Sequence, residues 1–115
     1  MSRALPAVLD VLAVVLFAAV GRRSHAESLD VVGILRTALP FLAGTAVGWV
    51  LATATLGSGP RTLPFGAVVL LGTVVTGMAL RAITGEGTAV SFVIVATTVL
   101  AALFLGWRLV ARLLA

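Results

Sequence analysis

The sequence predicts an all-α membrane protein, a bundle of four transmembrane helices. Composition is the first ground: of 115 residues 61% are hydrophobic and only 10% charged, with a mean hydropathy of +1.23. A soluble domain carries about 25% charged residues, and a single core has no room for this much apolar surface. The second ground is the length of the charge-free runs. Residues 37–56, 62–80 and 87–107 form uncharged stretches of 20, 19 and 21 residues, and a hydrocarbon layer of about 30 Å needs roughly 20 helical residues. Residues 4–21 make a fourth run of 18, interrupted by Asp10 alone. No segment shows the alternation of a barrel strand, and irregular backbone cannot face lipid with its N–H and C=O groups unpaired.

The single domain, 1–115, divides into helices expected near 5–21, 31–56, 63–84 and 88–112. Pro6 is tolerated in the first turn of helix 1. The segment 22–36 is the one long polar connection, with Ser28 or Asp30 as the cap of helix 2. Pro40 removes a backbone donor and is expected to kink helix 2. Gly57-Ser58-Gly59-Pro60-Arg61 is a breaker; Thr62 caps helix 3, and Pro64 lies in its first turn. Gly85-Glu86-Gly87 closes helix 3, and Thr88 is expected to cap helix 4. Short second and third connections imply antiparallel neighbours.

A cleaved leader is one reading of the first run, since small residues near Ala18, Ala19 and Gly21 follow an apolar stretch. Asp10 inside it and Arg22-Arg23 after it argue for retention as a helix.

A spacing of 58 residues brings Leu5-Pro6 onto Leu63-Pro64, Arg3 onto Arg61, Arg23 onto Arg81 and Gly48-Trp49 onto Gly106-Trp107. Fourteen of the 57 pairs are identical, against roughly six expected from so apolar a composition. The pattern fits a tandem repeat of two helical hairpins, related by an axis along the membrane normal.

The absence of cysteine excludes disulfides, thiol chemistry and covalent haem. Net charge of +4 comes from eight arginines spread over the helix ends, which suits lipid headgroups rather than nucleic acid. One histidine cannot build a multi-histidine metal or haem site. Neither a serine–histidine–acid set nor paired carboxylates can be assembled, so no catalysis and no cofactor are expected. Even crossings place Arg3, Arg61, Arg108 and Arg112 on one side and Arg22, Arg23, Arg36 and Arg81 on the other. That tie leaves the positive-inside rule little to act on; cytoplasmic termini in the plasma membrane are the expectation.

Three groups of residues could carry function or packing. Asp10 lies inside a membrane helix, where an acid must be paired, hydrated or protonated. It reads either as a proton- or cation-coupling residue or as the ion-pair partner of Arg108 at similar depth. Arg22, Arg23, His25 and Glu27, with Arg81 and Glu86 on the same side, form a candidate headgroup or ligand surface; a solvated helix end is the plainer reading. Small residues four apart, Gly44, Gly48 and Ala52 on helix 2 and Thr73 and Gly77 on helix 3, mark close helix packing, either within the chain or in a homo-oligomer.

Residues 17–25 (Phe17-Ala18-Ala19-Val20-Gly21-Arg22-Arg23-Ser24-His25), Pro40-Phe41-Leu42-Ala43-Gly44 with Gly48-Trp49, and Gly85-Glu86-Gly87-Thr88-Ala89-Val90-Ser91-Phe92 resemble an uncharacterised family of small four-helix bacterial and archaeal membrane proteins. The resemblance covers nearly the whole chain. It implies four crossings and a plasma-membrane location, brings no assigned activity, and points to the side with Arg22, His25 and Glu86 as the working face. By length, balanced arginines and an acid in helix 1 the chain also resembles the small multidrug-resistance transporters, but their aromatic-rich signature is missing. The leading expectation is a non-enzymatic oligomeric or accessory membrane subunit. A small transporter coupled through Asp10 and a lipid- or isoprenoid-binding protein are the alternatives.

Overall fold

A computed structural model of the chain describes residues 2–24 and 27–115. Four α-helices make up the fold: α1 (Ala4–Ser24), α2 (Val31–Thr55), α3 (Leu63–Ile83) and α4 (Val90–Leu114). All four are long and apolar enough to cross a membrane, which suggests a membrane protein. Side chains such as Leu12, Val50, Leu71 and Ile94 stand exposed around the outside, the arrangement expected when lipid is the solvent.

Local chemistry sets the helix ends. Thr62 accepts the Phe65 N–H at the start of α3 (3.4 Å), and Pro64 occupies its first turn, where a missing N–H costs nothing. Gly85, at φ +80°, ends α3: its N–H bonds Ala82 O and the Glu86 N–H bonds Arg81 O, the paired bonds of a left-handed glycine cap. Asp30 occupies the cap position of α2 but makes no capping bond; its carboxylate accepts the Ser28 hydroxyl at 2.6 Å instead. Helix α4 starts later than 88, with Ala89 as its uncapped N-cap. Helix α1 runs past Gly21 to include Arg22 and Arg23.

Each helix packs on its chain neighbours and α4 returns to α1, while among the described residues the backbones of α1 and α3, and of α2 and α4, stay apart across the ring. The result is an up-down-up-down ring. Contact is most extensive between α2 and α3 and least between α1 and α4.

Glycine explains the closeness of α2 and α3. A Cβ on Gly48 would lie 2.8 Å from the Val69 Cα, one on Gly44 2.7 Å from the Thr73 carbonyl oxygen, and one on Gly72 2.6 Å from the Gly48 Cα. These are backbone atoms that cannot swing aside. Gly77 receives the Phe41 ring in the same way, and Ala52 is fully buried. Gly44, Gly48, Thr73 and Gly77 therefore all serve the α2–α3 seam. Thr45 and Thr73 meet across it at 2.9 Å.

Candidate functional site

Polar side chains gather at two places, one toward each end of the bundle. At the end carrying the termini, Asp10, Trp49 and Arg108 each sit six residues from their own helix end, so three helices bring them to one depth of about 9 Å. Asp10 and Arg108 are both 0% exposed. Arg108 grips the carboxylate with two N–H···O bonds, Nη1 to Oδ1 at 2.9 Å and Nη2 to Oδ2 at 2.8 Å. The Trp49 indole N–H donates to Oδ2 and that of Trp107 to Oδ1, both at 2.9 Å. Arg108 also donates to the carbonyls of Pro60 (2.9 Å) and Phe104 (3.1 Å), which ties α4 to the α2–α3 loop. Its guanidinium lies 4.4 Å from the Trp107 ring centre and 5.9 Å from that of Phe65.

Each Asp10 oxygen thus accepts two charge-assisted or indole bonds, and no side of the carboxylate is left for water or a cation. A buried acid costs little only when paired and fully hydrogen-bonded, and this one is both. The arrangement acts as a clasp joining α1, α2 and α4. Pairing with Arg108 was readable from depth alone. The two tryptophans and Pro60 were not, although the 58-residue register already set both indoles at one level.

At the opposite end a cavity of about 1080 Å³ is lined by all four helices. Arg22, Arg36 and Arg81, with Glu27 and Glu86, line its polar part, and Phe17, Ala18, Pro40, Phe92, Val95 and Val99 its apolar part. Phe17, Phe41 and Phe92 pack edge-on or tilted with ring centres 5.2–6.2 Å apart, an aromatic cluster bordering the cavity. Arg23 is exposed and not part of this lining; His25 lies outside the described residues. Arg36, whose position at a helix end read as simple headgroup anchoring, lines the cavity.

The three arginines differ in what they have left to offer. Arg22 donates to the Ser28 carbonyl (2.7 Å), the Ser28 hydroxyl (3.3 Å) and Thr37 (3.2 Å), and faces Glu27 at 3.7 Å and Asp30 at 3.9 Å. The Ser28 hydroxyl, assisted by the Arg22 charge, holds the Asp30 carboxyl below its ordinary range, so that partner of Arg22 stays ionised. Among the described residues Arg81 donates only its Nε, to the Gly87 carbonyl at 2.9 Å, and lies 4.2 Å from the Phe92 ring centre. Arg36 and Glu86 form no side-chain hydrogen bond or ion pair among the described residues. Because the first intrahelical bond of α4 runs from Val93 N to Ala89 O, the N–H groups of Val90, Ser91 and Phe92 begin that helix without an intrahelical partner.

No curated protein and no solved structure matches this chain. A family model described as "Protein of unknown function (DUF3054)" matches residues 7–111, and the chain belongs to that family.

Proposed function

We propose that the protein is a non-enzymatic membrane protein that binds an amphiphile, in the cell membrane, holding the head at one surface and the tail among the helices. One observation carries the reading. A single cavity of about 1080 Å³ is charged in one part and apolar in the other, matching a molecule with both characters. Its volume lies just above the range of small-molecule sites, roughly 300–1,000 Å³. Basic pockets between membrane helices are the usual receptors for lipid headgroups.

The other expectations draw less support. Coupling through Asp10 needs an acid open to water, and here its four acceptor positions are filled. An oligomeric subunit needs a surface for its partner, and the packing glycines at 44, 48, 72 and 77 are spent between α2 and α3. With cytoplasmic termini, the even number of crossings opens the cavity to the outer surface. The natural lack of cysteine lets single cysteines at Ser58 and Thr88 report that orientation by labelling.

The test is retention of lipid. Protein purified in a neutral detergent and offered a defined mixture of phosphatidylglycerol, phosphatidylethanolamine and hexadecanol should keep one amphiphile in native mass spectrometry. Val99→Trp, which fills the apolar part, should lose it while remaining folded. A wild-type chain that retains none of the three defeats the reading.

A further inference from the structure

We infer that the amphiphile is a phosphate-bearing lipid, its phosphate held by Arg36 and Arg81 at the N-terminus of α4; the inference rests on the amphiphile-binding reading above. The argument turns on which charges at the cavity remain unspent. Arg22 is consumed by Ser28, Thr37, Glu27 and Asp30, so it builds the wall rather than the binding group. Arg81 is the reverse case. Its Nε is anchored on the Gly87 carbonyl and its plane rests near the Phe92 ring, which fixes the side chain while neither Nη group bonds any of the described residues. Arg36 has all its donors free among the described residues and lines the same cavity.

The supply of donors selects the head group. Arginine presents a planar fork that grips carboxylate or phosphate through two parallel bonds. Two such forks, plus the N–H groups of the first turn of α4 that lack an intrahelical partner, beside the cavity-lining Ala89, Ser91 and Phe92, offer more donors than the two oxygens of a carboxylate accept. A phosphate has the oxygens to use them, and a helix N-terminus favours its charge. Glu86 lines the same mouth with no side-chain partner among the described residues, so Arg36, Arg81 and Glu86 together leave one net positive charge. That balance suits a phosphate ester of low charge and disfavours a neutral or cationic head. The apolar wall below, Phe17, Pro40, Val95 and Val99, takes the chain that a free phosphate ion lacks.

Equilibrium binding in neutral detergent tests the claim, with radiolabelled hexadecyl phosphate as probe and hexadecanol, hexadecanoate and inorganic phosphate as competitors. Hexadecyl phosphate should bind at least tenfold more tightly than hexadecanol or hexadecanoate. Arg36→Gln should weaken the phosphate probe about tenfold and leave hexadecanol unchanged, with Arg36→Lys recovering part of the loss. Arg36 makes no side-chain bond to the described residues, so this variant should melt like the wild type; Arg81→Gln, which gives up the Gly87 anchor, is the supporting variant. Equal binding of hexadecyl phosphate and either hexadecanol or hexadecanoate, or indifference to Arg36→Gln, overturns the phosphate assignment and leaves the amphiphile reading standing. Inorganic phosphate displacing the probe at equal concentration overturns the lipid and names the free anion as ligand. Failure of every hexadecyl compound to bind overturns both readings together.

Discussion

The two seams that join the hairpins of this bundle, α2 with α3 and α4 with α1, are closed by opposite means. Across α2–α3 the backbones touch, because Gly44, Gly48 and Gly72 bring no side chain to the contact. Fifty-eight residues away the corresponding positions are Ala102, Gly106 and Val14. Val14 is fully buried and stands where α3 has the glycine that admits the α2 backbone. Gly106 keeps the glycine but meets open space. Helix α1 is therefore held off α4 and joined to it at separate levels, by the Asp10 clasp toward one surface and by the Phe17–Phe92 contact toward the other. The cavity lies at the aromatic end. Close packing makes one seam rigid; a seam held at points opens at lower free energy, and this is the seam beside the proposed ligand.

The largest expected effect comes from breaking the clasp. Asp10→Asn removes the charge that Arg108 was buried to meet, and stranding a buried charge costs about 3–5 kcal/mol. Unfolding by denaturing detergent should show that loss. Asp10→Asn with Arg108→Gln should recover part of it, since no charge is then left alone. Hydrogen exchange should rise in α1 and α4 before α2 and α3. An Asp10→Asn protein as stable as the wild type, with unchanged exchange, would mean that the clasp does not hold the α1–α4 seam.

The glycines at 48 and 106 sharpen the comparison, because they occupy matching places in the two halves. Gly48→Leu drives a side chain into the Val69 backbone and should cost about 1–3 kcal/mol or more. Gly106→Leu, with nothing within 4 Å of its new Cβ, should stay within about 0.5 kcal/mol of the wild type. Melting temperatures of the two variants in one detergent decide it. Equal destabilisation by both would remove the distinction between the seams.

Much of this contrast could be anticipated from residues, and the remainder depends on helix placement. Charge-free runs of helical length announced four helices, since lipid leaves the chain so few alternatives. Asp10 was conspicuous because an acid among apolar residues needs a partner, and helix direction put Arg108 at its depth. The spacing of Gly44 and Gly48 pointed to a close contact, while its partner, the α3 backbone at Val69 and Gly72, becomes visible only once the helices are docked. Trp49 and Trp107 carried a hint in their shared register, yet an indole near a membrane surface reads first as an interface anchor. The cavity had no signature of its own. Arg36 looks like any arginine at a helix end until the spacing of α1 and α4 makes the space it lines. Thr88 failed as the cap of α4 because a capping residue is one local preference among several, and here the helix starts beyond Ala89.

The smallest expected effect concerns the hydroxyls of Thr45 and Thr73, a polar contact that the α1–α4 seam lacks: the matching residues there are Leu103 and Val15. Thr45 Oγ1 lies 2.9 Å from Phe41 O, Thr73 Oγ1 lies 2.7 Å from Val69 O, and the two hydroxyl oxygens are 2.9 Å apart. Two protons must serve these three contacts, so at any moment one goes without. Thr73→Val keeps the shape and deletes one hydroxyl, leaving Thr45 free to donate to Phe41 O with nothing stranded. The loss should therefore match a typical hydrogen bond between membrane helices, about 0.6 kcal/mol. A double-mutant cycle with Thr45→Val isolates the bond across the seam from the two bonds within the helices. A coupling energy near zero would show that both protons stay on the i−4 carbonyls, and that glycine packing alone holds α2 against α3.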